Sequence, residues 1–240
     1  MSSTASSRTS SSLLAGVAAL LTGCAGYGGH GDWPVAWADD FVDTRDWVLE
    51  SEQPAKVVAR NGVLDIDAQA GLTLWFKPEL ESPVRIEFDA VAVSAGGAND
   101  QVSDLNVFWM ARNADGISPV YAKPRSGRFA DYDDLLTYYV GLGGNRNTTS
   151  RFRRYIGQPG NRPLLPGHDL AARRALLVPN HRQRITLIAD GRHIEYRRDG
   201  RVMFALDDPE PYTSGWFAIR TTWSHLRISR LRIRAPLADG

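Results

Sequence analysis

Between Arg184 and Ala205 the chain reads Arg184-Ile185-Thr186-Leu187-Ile188-Ala189, then Asp190-Gly191, then His193-Ile194-Glu195-Tyr196-Arg197-Arg198, then Asp199-Gly200, then Val202-Met203-Phe204-Ala205. Apolar and polar residues alternate inside these runs, as they must in a strand with one face on a core, because successive side chains of an extended chain point to opposite sides. Asp-Gly between two such runs supplies the left-handed backbone of a tight hairpin. The segment therefore predicts a three-stranded meander. A meander is hydrogen-bonded antiparallel, so it argues against folds whose parallel strands return through helices.

The same pattern continues elsewhere. Val84 to Val91 alternates, and Val57 to Arg60 and Val63 to Asp67 flank Asn61-Gly62, a second hairpin signal. After Asp208-Pro209-Glu210-Pro211, the runs Trp216 to Arg220 and Leu226 to Ile233 predict two more strands, the last with an apolar face and an Arg face. Long stretches of helical period are missing between Trp33 and Arg234. Eleven or so strands without crossover helices predict an all-β fold, an antiparallel β-sandwich, in one domain over residues 35–236 with a tail at 237–240. A chain of 240 residues that is 43% hydrophobic can bury such a core, and its 22 Gly and 13 Pro suit many turns. Two long loops, residues 115–134 and 157–179, interrupt the strands, and loops of that length in a compact sandwich tend to carry function.

Ahead of the domain, residues 1–23 read as a targeting signal: Ser-rich, with Arg8 before the apolar run Leu13 to Leu21, which is too short to span a bilayer. Leu21-Thr22-Gly23-Cys24 resembles the bacterial lipobox. That resemblance implies a lipid on Cys24, a tether at residues 24–34, and a bacterial cell-envelope location with membrane contact through the anchor only. Ala25 favours the outer membrane. The alternative is an ordinary cleaved signal peptide with an incidental Cys. Cys24 is the only Cys, so no internal disulfide and no Cys-based metal site is expected, and the residues call for no cofactor.

A formal net charge of +1 conceals an uneven distribution. From Asp32 to Asp104 fifteen Asp and Glu stand against five Lys and Arg, whereas from Asn145 to Arg201 thirteen Arg stand against four acids. Such an Arg-rich half binds something anionic or pairs with the acidic half. No nucleic-acid motif, Ser-His-Asp signature, phosphate loop or redox motif is present, so nucleic acid is not an expected partner.

The segment from Tyr138 to Tyr155 gathers Tyr, Asn, Thr and Arg around Gly143-Gly144. On a strand, Tyr138 and Val140 face one way and Tyr139 and Gly141 the other, so one Tyr lines an open face while its neighbour packs. Asn145 and Asn147 follow in the adjoining loop, and Arg151 and Arg153 share one face of the next strand. Asp104 and Asn106 share a face with Phe108 and are candidates for binding a ligand's hydroxyls; the alternative is a structural calcium, for which oxygen ligands are present but no calcium-loop motif is. In Arg220-Thr221-Thr222-Trp223-Ser224-His225, Arg220 is a candidate ligand residue, Trp223 a stacking platform and His225 a proton carrier; Trp216, in a Gly-Trp-Phe context, reads as core. His168 lies in a loop near further Arg residues. The competing reading is a structural polar corner, with Asn and Thr satisfying turns and Arg pairing with acids.

Residues 189–200, followed by Ser214-Gly215-Trp216-Phe217, resemble the concanavalin-like jelly-roll domains of bacterial glycan-active proteins, a fold shared by laminin-G-like modules, glucanases and polysaccharide lyases. Asp104 to Ala111, Tyr138 to Thr149, Arg151 to Tyr155 and Arg220 to His225 resemble a bacterial family of unknown function found among polysaccharide-degrading proteins. The resemblance implies a jelly roll and a glycan context. Jelly-roll lyases use Tyr or His to move protons, and Arg and Asn to neutralise a uronate carboxylate on which charge builds during β-elimination. By that likeness Tyr138, Tyr139, His168 and His225 are catalytic candidates, with Asp104, Asn106, Asn145, Asn147, Arg151, Arg153, Arg220 and Trp223 on the substrate, a polysaccharide containing uronate. A noncatalytic glycan-binding module needs the same residues. A glycoside hydrolase needs two facing carboxyls, and Glu87, Asp89 and Glu195 do not show the spacing for it.

Overall fold

The computed structural model describes Met1 and residues 33–237; the leader, Cys24 and the last three residues lie outside the described residues. The chain divides into Met1–Gly31 and Asp32–Gly240, and the account below concerns the second unit. Its strands are β1 (Val35–Asp39), β2 (Trp47–Ser51), β3 (Lys56–Arg60), β4 (Val63–Phe76), β5 (Leu80–Glu81), β6 (Val84–Ala92), β7 (Leu105–Asn113), β8 (Leu135–Gly143), β9 (Thr149–Ile156), β10 (Asp169–Leu170), β11 (Gln183–Asp190), β12 (His193–Arg198), β13 (Arg201–Asp207) and β14 (Ser214–Arg234).

All the strand pairings are antiparallel, and they form one curled sheet whose two leaves share the long strands β4 and β14. The first leaf runs β10-β9-β8-β7-β14-β4-β2, through the first half of β14. The second runs β13-β12-β11-β6-β14-β4-β3, through its second half, with β1 beside the far end of β14. The two segments read from the sequence as separate strands, Trp216 to Arg220 and Leu226 to Ile233, are thus one strand. It bends at Trp223, where the register against β4 shifts and φ is +44°.

Inside the sandwich, Tyr138, Val140, Leu142 and Phe152 of the first leaf face Ile185, Leu187, Tyr196 and Phe204 of the second, all buried in one core. Phe152 and Phe204 meet with ring centres 6.0 Å apart, and Phe88 and Phe217 with centres 6.1 Å apart. Local chemistry sets the hairpins. Asn61 and Gly62, and Asp199 and Gly200, have positive φ at both central positions, as type I′ turns require. In the β11–β12 hairpin, Asp190 instead pairs with His193 as the last strand residue, and the turn is Gly191-Arg192 with positive φ at Gly191. The apolar spacing of β14 slips by one residue between Ile228 and Leu231. A bulge with Arg230 at φ +55° absorbs the slip and keeps Leu231 and Ile233 in the core.

Part of the charge asymmetry is spent on pairing across the second leaf. Buried Asp89 of β6 meets Arg182, Arg184 and Arg230 at 3.2, 3.4 and 2.6 Å, and Glu87 meets Arg234 at 2.8 Å.

Candidate functional site

The outer face of the first leaf is organised in rows across the strands. One row runs Glu50, Thr73, Arg220, Asn106, Gly141, Arg151 and Asp169, one residue from each of the seven strands. The next runs Val48, Trp75, Ala218, Phe108, Tyr139 and Arg153. The second row is largely apolar, and the loop at residues 115–134 folds over it, packing Val120, Tyr132 and Phe129 against Trp75, Phe108 and Tyr139. Arg125 holds this loop together from within, donating to the carbonyls of Val120 and Asp131 and pairing with Asp134 at 3.0 Å. The polar row stays open at its middle as a cleft of about 500 Å³.

Arginines dominate the cleft. Arg146, Arg151, Arg153, Arg162 and Arg220 line it, against the carboxyls of Glu52 and Asp104. Arg220 is 2% exposed. Its Nη1 donates to Thr73 Oγ1 at 2.9 Å and to the Gly127 carbonyl at 2.8 Å, and its guanidinium lies over Tyr132 and Phe129, 4.8 and 5.1 Å from the ring centres. Among the described residues no carboxylate forms an ion pair with it. Arg151 is tied to Asp169 at 2.9 Å and Arg162 to Asp133, while Arg153 donates to the Arg162 carbonyl.

On the β7 side, Asp104 precedes the strand in a left-handed conformation, φ +54°. Burial pushes its carboxyl above the usual range, against hydrogen bonds from Ser103 and Asn106. Asn106 Nδ2 donates to Asp104 Oδ1 at 3.2 Å, leaving the buried Asn106 Oδ1 with no partner among the described residues. Tyr139 reaches over Gly141, and burial pushes its phenol well above the usual value. The group is therefore held neutral, as a proton donor.

The rim is built on strained backbone. Gly144–Asn147 form a tight turn in which Asn145, Arg146 and Asn147 are all left-handed, a conformation Asn tolerates and Arg does not favour. Asn145 lines the cleft and donates to Thr149 at 3.0 Å. Asn147 turns away: its amide clasps the backbone of Leu177, donating to the carbonyl and accepting from the N–H. Arg146 lies over Trp223, 5.8 Å from the ring centre, and Trp223 is 42% exposed at the cleft mouth.

The structure thus gathers Asp104, Asn106, Tyr139, Asn145, Arg151, Arg153, Arg220 and Trp223 into one cleft. Tyr138, Asn147, His168 and His225 do not line it. Tyr138 faces the core, where its hydroxyl donates to Asp208 at 2.7 Å. His168 packs on Phe152 at 4.8 Å, beside a separate apolar groove, with Nε2 3.0 Å from the Ala205 carbonyl. His225 is clamped between Asp100 at 2.9 Å and Asp65 at 3.1 Å. Sequence reasoning missed Arg146, Arg162, Glu52 and Phe129. For Arg162 the signal was its long Gly- and Pro-rich loop, and for Arg146 its place between two Asn; nothing local marked Glu52.

Fold and cleft together define a galectin-like jelly roll with an open, cation-lined groove on one leaf. The chain belongs to DUF6250, a domain of unknown function, whose family model matches residues 66–231. Among solved structures it is similar to a protein of unknown function with a galectin-like fold from Bacillus subtilis, at 13% identity and TM-score 0.63, covering 83% of this chain and 95% of that one. It is also similar to a carbohydrate binding module from Bacillus subtilis, at 8% identity and TM-score 0.54, covering 79% and 96%. A third likeness is to LamAcat from Zobellia galactanivorans, at 11% identity and TM-score 0.56, covering 84% and 97%. At these identities the likeness concerns the fold. No curated protein matches the sequence.

Proposed function

We propose that the cleft binds an acidic polysaccharide, one carrying uronate carboxylates. The observation that carries this reading is Arg220: a buried guanidinium with no carboxylate partner among the described residues, in a cleft with four more arginines. The carboxyls of Glu50 and Asp104 act on this guanidinium only through space, and a charge buried without a direct ion-pair partner is one that an anionic ligand can meet when it docks. The carbohydrate binding module among the structural neighbours supports a glycan as the source of the anion. Calorimetric titration with polygalacturonate, alginate and a neutral glucan tests it. Binding of the uronates that weakens with salt is the expected result; no binding of either uronate, or equal binding of the glucan, overturns the reading.

A second reading, β-elimination, rests on Tyr139, the one of the four catalytic candidates that lines the cleft. Held neutral, its phenol suits protonation of the departing 4-linked oxygen while a cleft carboxylate, Asp104 or Glu52, takes the C5 proton, with Arg220 in the same cleft to steady the sugar carboxylate. Elimination leaves an unsaturated sugar that absorbs in the far ultraviolet. Incubation with the same uronates should produce that absorbance and Tyr139→Phe should abolish it; its absence from the wild type favours the noncatalytic module.

For location, we propose a lipid anchor on Cys24 in the bacterial envelope, on the strength of the Leu21-Thr22-Gly23-Cys24 pattern after the apolar run. Cys24→Ala should move the protein from the membrane fraction to the soluble one.

A further inference from the structure

One buried acceptor in the cleft has nothing to accept from. Asn106 is 3% exposed, and its Oδ1 is without a hydrogen-bond partner among the described residues. Buried polar atoms are paired in the great majority of cases, so an orphan beside a cleft marks where a ligand group belongs. The amide cannot reverse to escape this, because Nδ2 donates to Asp104 Oδ1, and a reversed amide would set two acceptors against each other.

Next to it stands a group of complementary kind. The Tyr139 hydroxyl has no hydrogen-bond partner among the described residues, and it lies over Gly141, directly across the strands from Asn106. A β-carbon placed on Gly141 would stand 2.7 Å from the Tyr139 hydroxyl and 3.2 Å from Asn106 Oδ1, so both atoms converge on the space above this glycine. Gly141 has no positive φ, so the backbone does not demand glycine there; the absence of a side chain leaves room for the Tyr139 hydroxyl beside Asn106.

We propose that Asn106 and Tyr139 form a hydroxyl-reading subsite, in which a free secondary hydroxyl of the acidic sugar donates to Asn106 Oδ1 and accepts from the Tyr139 phenol. The inference rests on the acidic-glycan reading and refines it: the arginines attract the carboxylate, and this subsite selects sugars whose neighbouring hydroxyl is unsubstituted. A carboxylate or sulfate alone cannot satisfy Asn106 Oδ1, since neither has a proton to give. O-acylated or O-methylated uronans are therefore excluded. A site built to hydrogen-bond a hydroxyl discriminates strongly against the analogue lacking it, because its polar groups are then left unpaired.

The test compares polygalacturonate with its fully O-acetylated derivative by calorimetry, on the wild type, Asn106→Ala, Gly141→Ala and Arg151→Ala. The wild type should bind the acetylated polymer roughly tenfold or more weakly. Asn106→Ala should lose affinity for the native polymer and so narrow the difference. Gly141→Ala, whose methyl would push the Tyr139 hydroxyl aside, should do the same. Arg151→Ala should weaken both ligands by a similar factor and keep the difference. Equal wild-type affinity for both polymers overturns the subsite and leaves the acidic-glycan reading standing; binding of neither overturns both. If Gly141→Ala does not fold, the wild-type ratio and Asn106→Ala still decide.

Discussion

Arg220 holds the carbonyl oxygen of Gly127 at 2.8 Å, joining the middle of the first leaf to the loop that covers half of it. Its other hydrogen bond is to Thr73 of the neighbouring strand. Lys at position 220 keeps the charge but loses the planar guanidinium that lies over Tyr132 and Phe129. Arg220→Lys should lower the unfolding free energy by about 1–2 kcal/mol, and should weaken uronate binding. Urea denaturation and calorimetry on the same preparation check both.

Arg151 pairs with Asp169, and both side chains are about one-third exposed. Such a pair contributes no more than about 1 kcal/mol in water. Arg151→Ala should therefore leave the denaturation midpoint nearly unchanged while reducing affinity for polygalacturonate. The logarithm of the binding constant should also fall less steeply with salt concentration than in the wild type.

Tyr138 and Asp208 make an acid-sensitive contact on the core side. Burial pushes the Asp208 carboxyl up, but hydrogen bonds from Arg154 and Tyr138 outweigh it and hold the group below its ordinary value. The folded value lies below the unfolded one, so this stabilisation is present at neutral pH and is lost as the pH falls below about 4. Tyr138→Phe should cost about 1–3 kcal/mol at pH 7, and the gap from the wild type should shrink in acid. Glycan binding should be unaffected, because Tyr138 points away from the cleft. Denaturation curves at pH 7 and pH 3.5 make the comparison.

Trp223 combines an exposed indole with a left-handed backbone. Trp223→Gly relieves a conformation that L side chains disfavour but removes an aromatic surface that is more than half covered and carries Arg146. The two effects oppose, so the variant should stay folded and lose no more than about 2 kcal/mol, yet bind polygalacturonate more weakly. Tryptophan fluorescence that changes on ligand addition in the wild type and not in the variant would locate the ring contact.

The parts of this architecture visible in the sequence are those decided by neighbours along the chain. Asn61-Gly62 and Asp199-Gly200 announce their hairpins through backbone preference alone, and alternation places Tyr139 with Gly141, and Arg151 with Arg153, on shared faces. The bend at Trp223 was not visible, because nothing in Thr222-Trp223-Ser224 shows that β4 continues alongside both halves of β14. Nor was the meeting of Arg220 with Asn106, which depends on the register of strands far apart in the chain. The two histidines show the limit from the other side. Their chemistry was legible, but the carboxylates that clamp His225 and the ring that covers His168 come from distant segments.

β14 lies in the middle of both leaves, so its position also sets an order of events. Strands made before it can form hairpins, such as β3 with β4 or β11 with β12, but neither leaf is continuous until residues 214–234 are available to join β4 to β6 and β7. A nascent chain stopped short of Ser214 therefore holds three separate sheet fragments with open edges, β2-β4-β3, β7-β8-β9-β10 and β6-β11-β12-β13. Closure of the sandwich must wait for synthesis to pass Arg234, and until then those edges need protection from pairing with other chains.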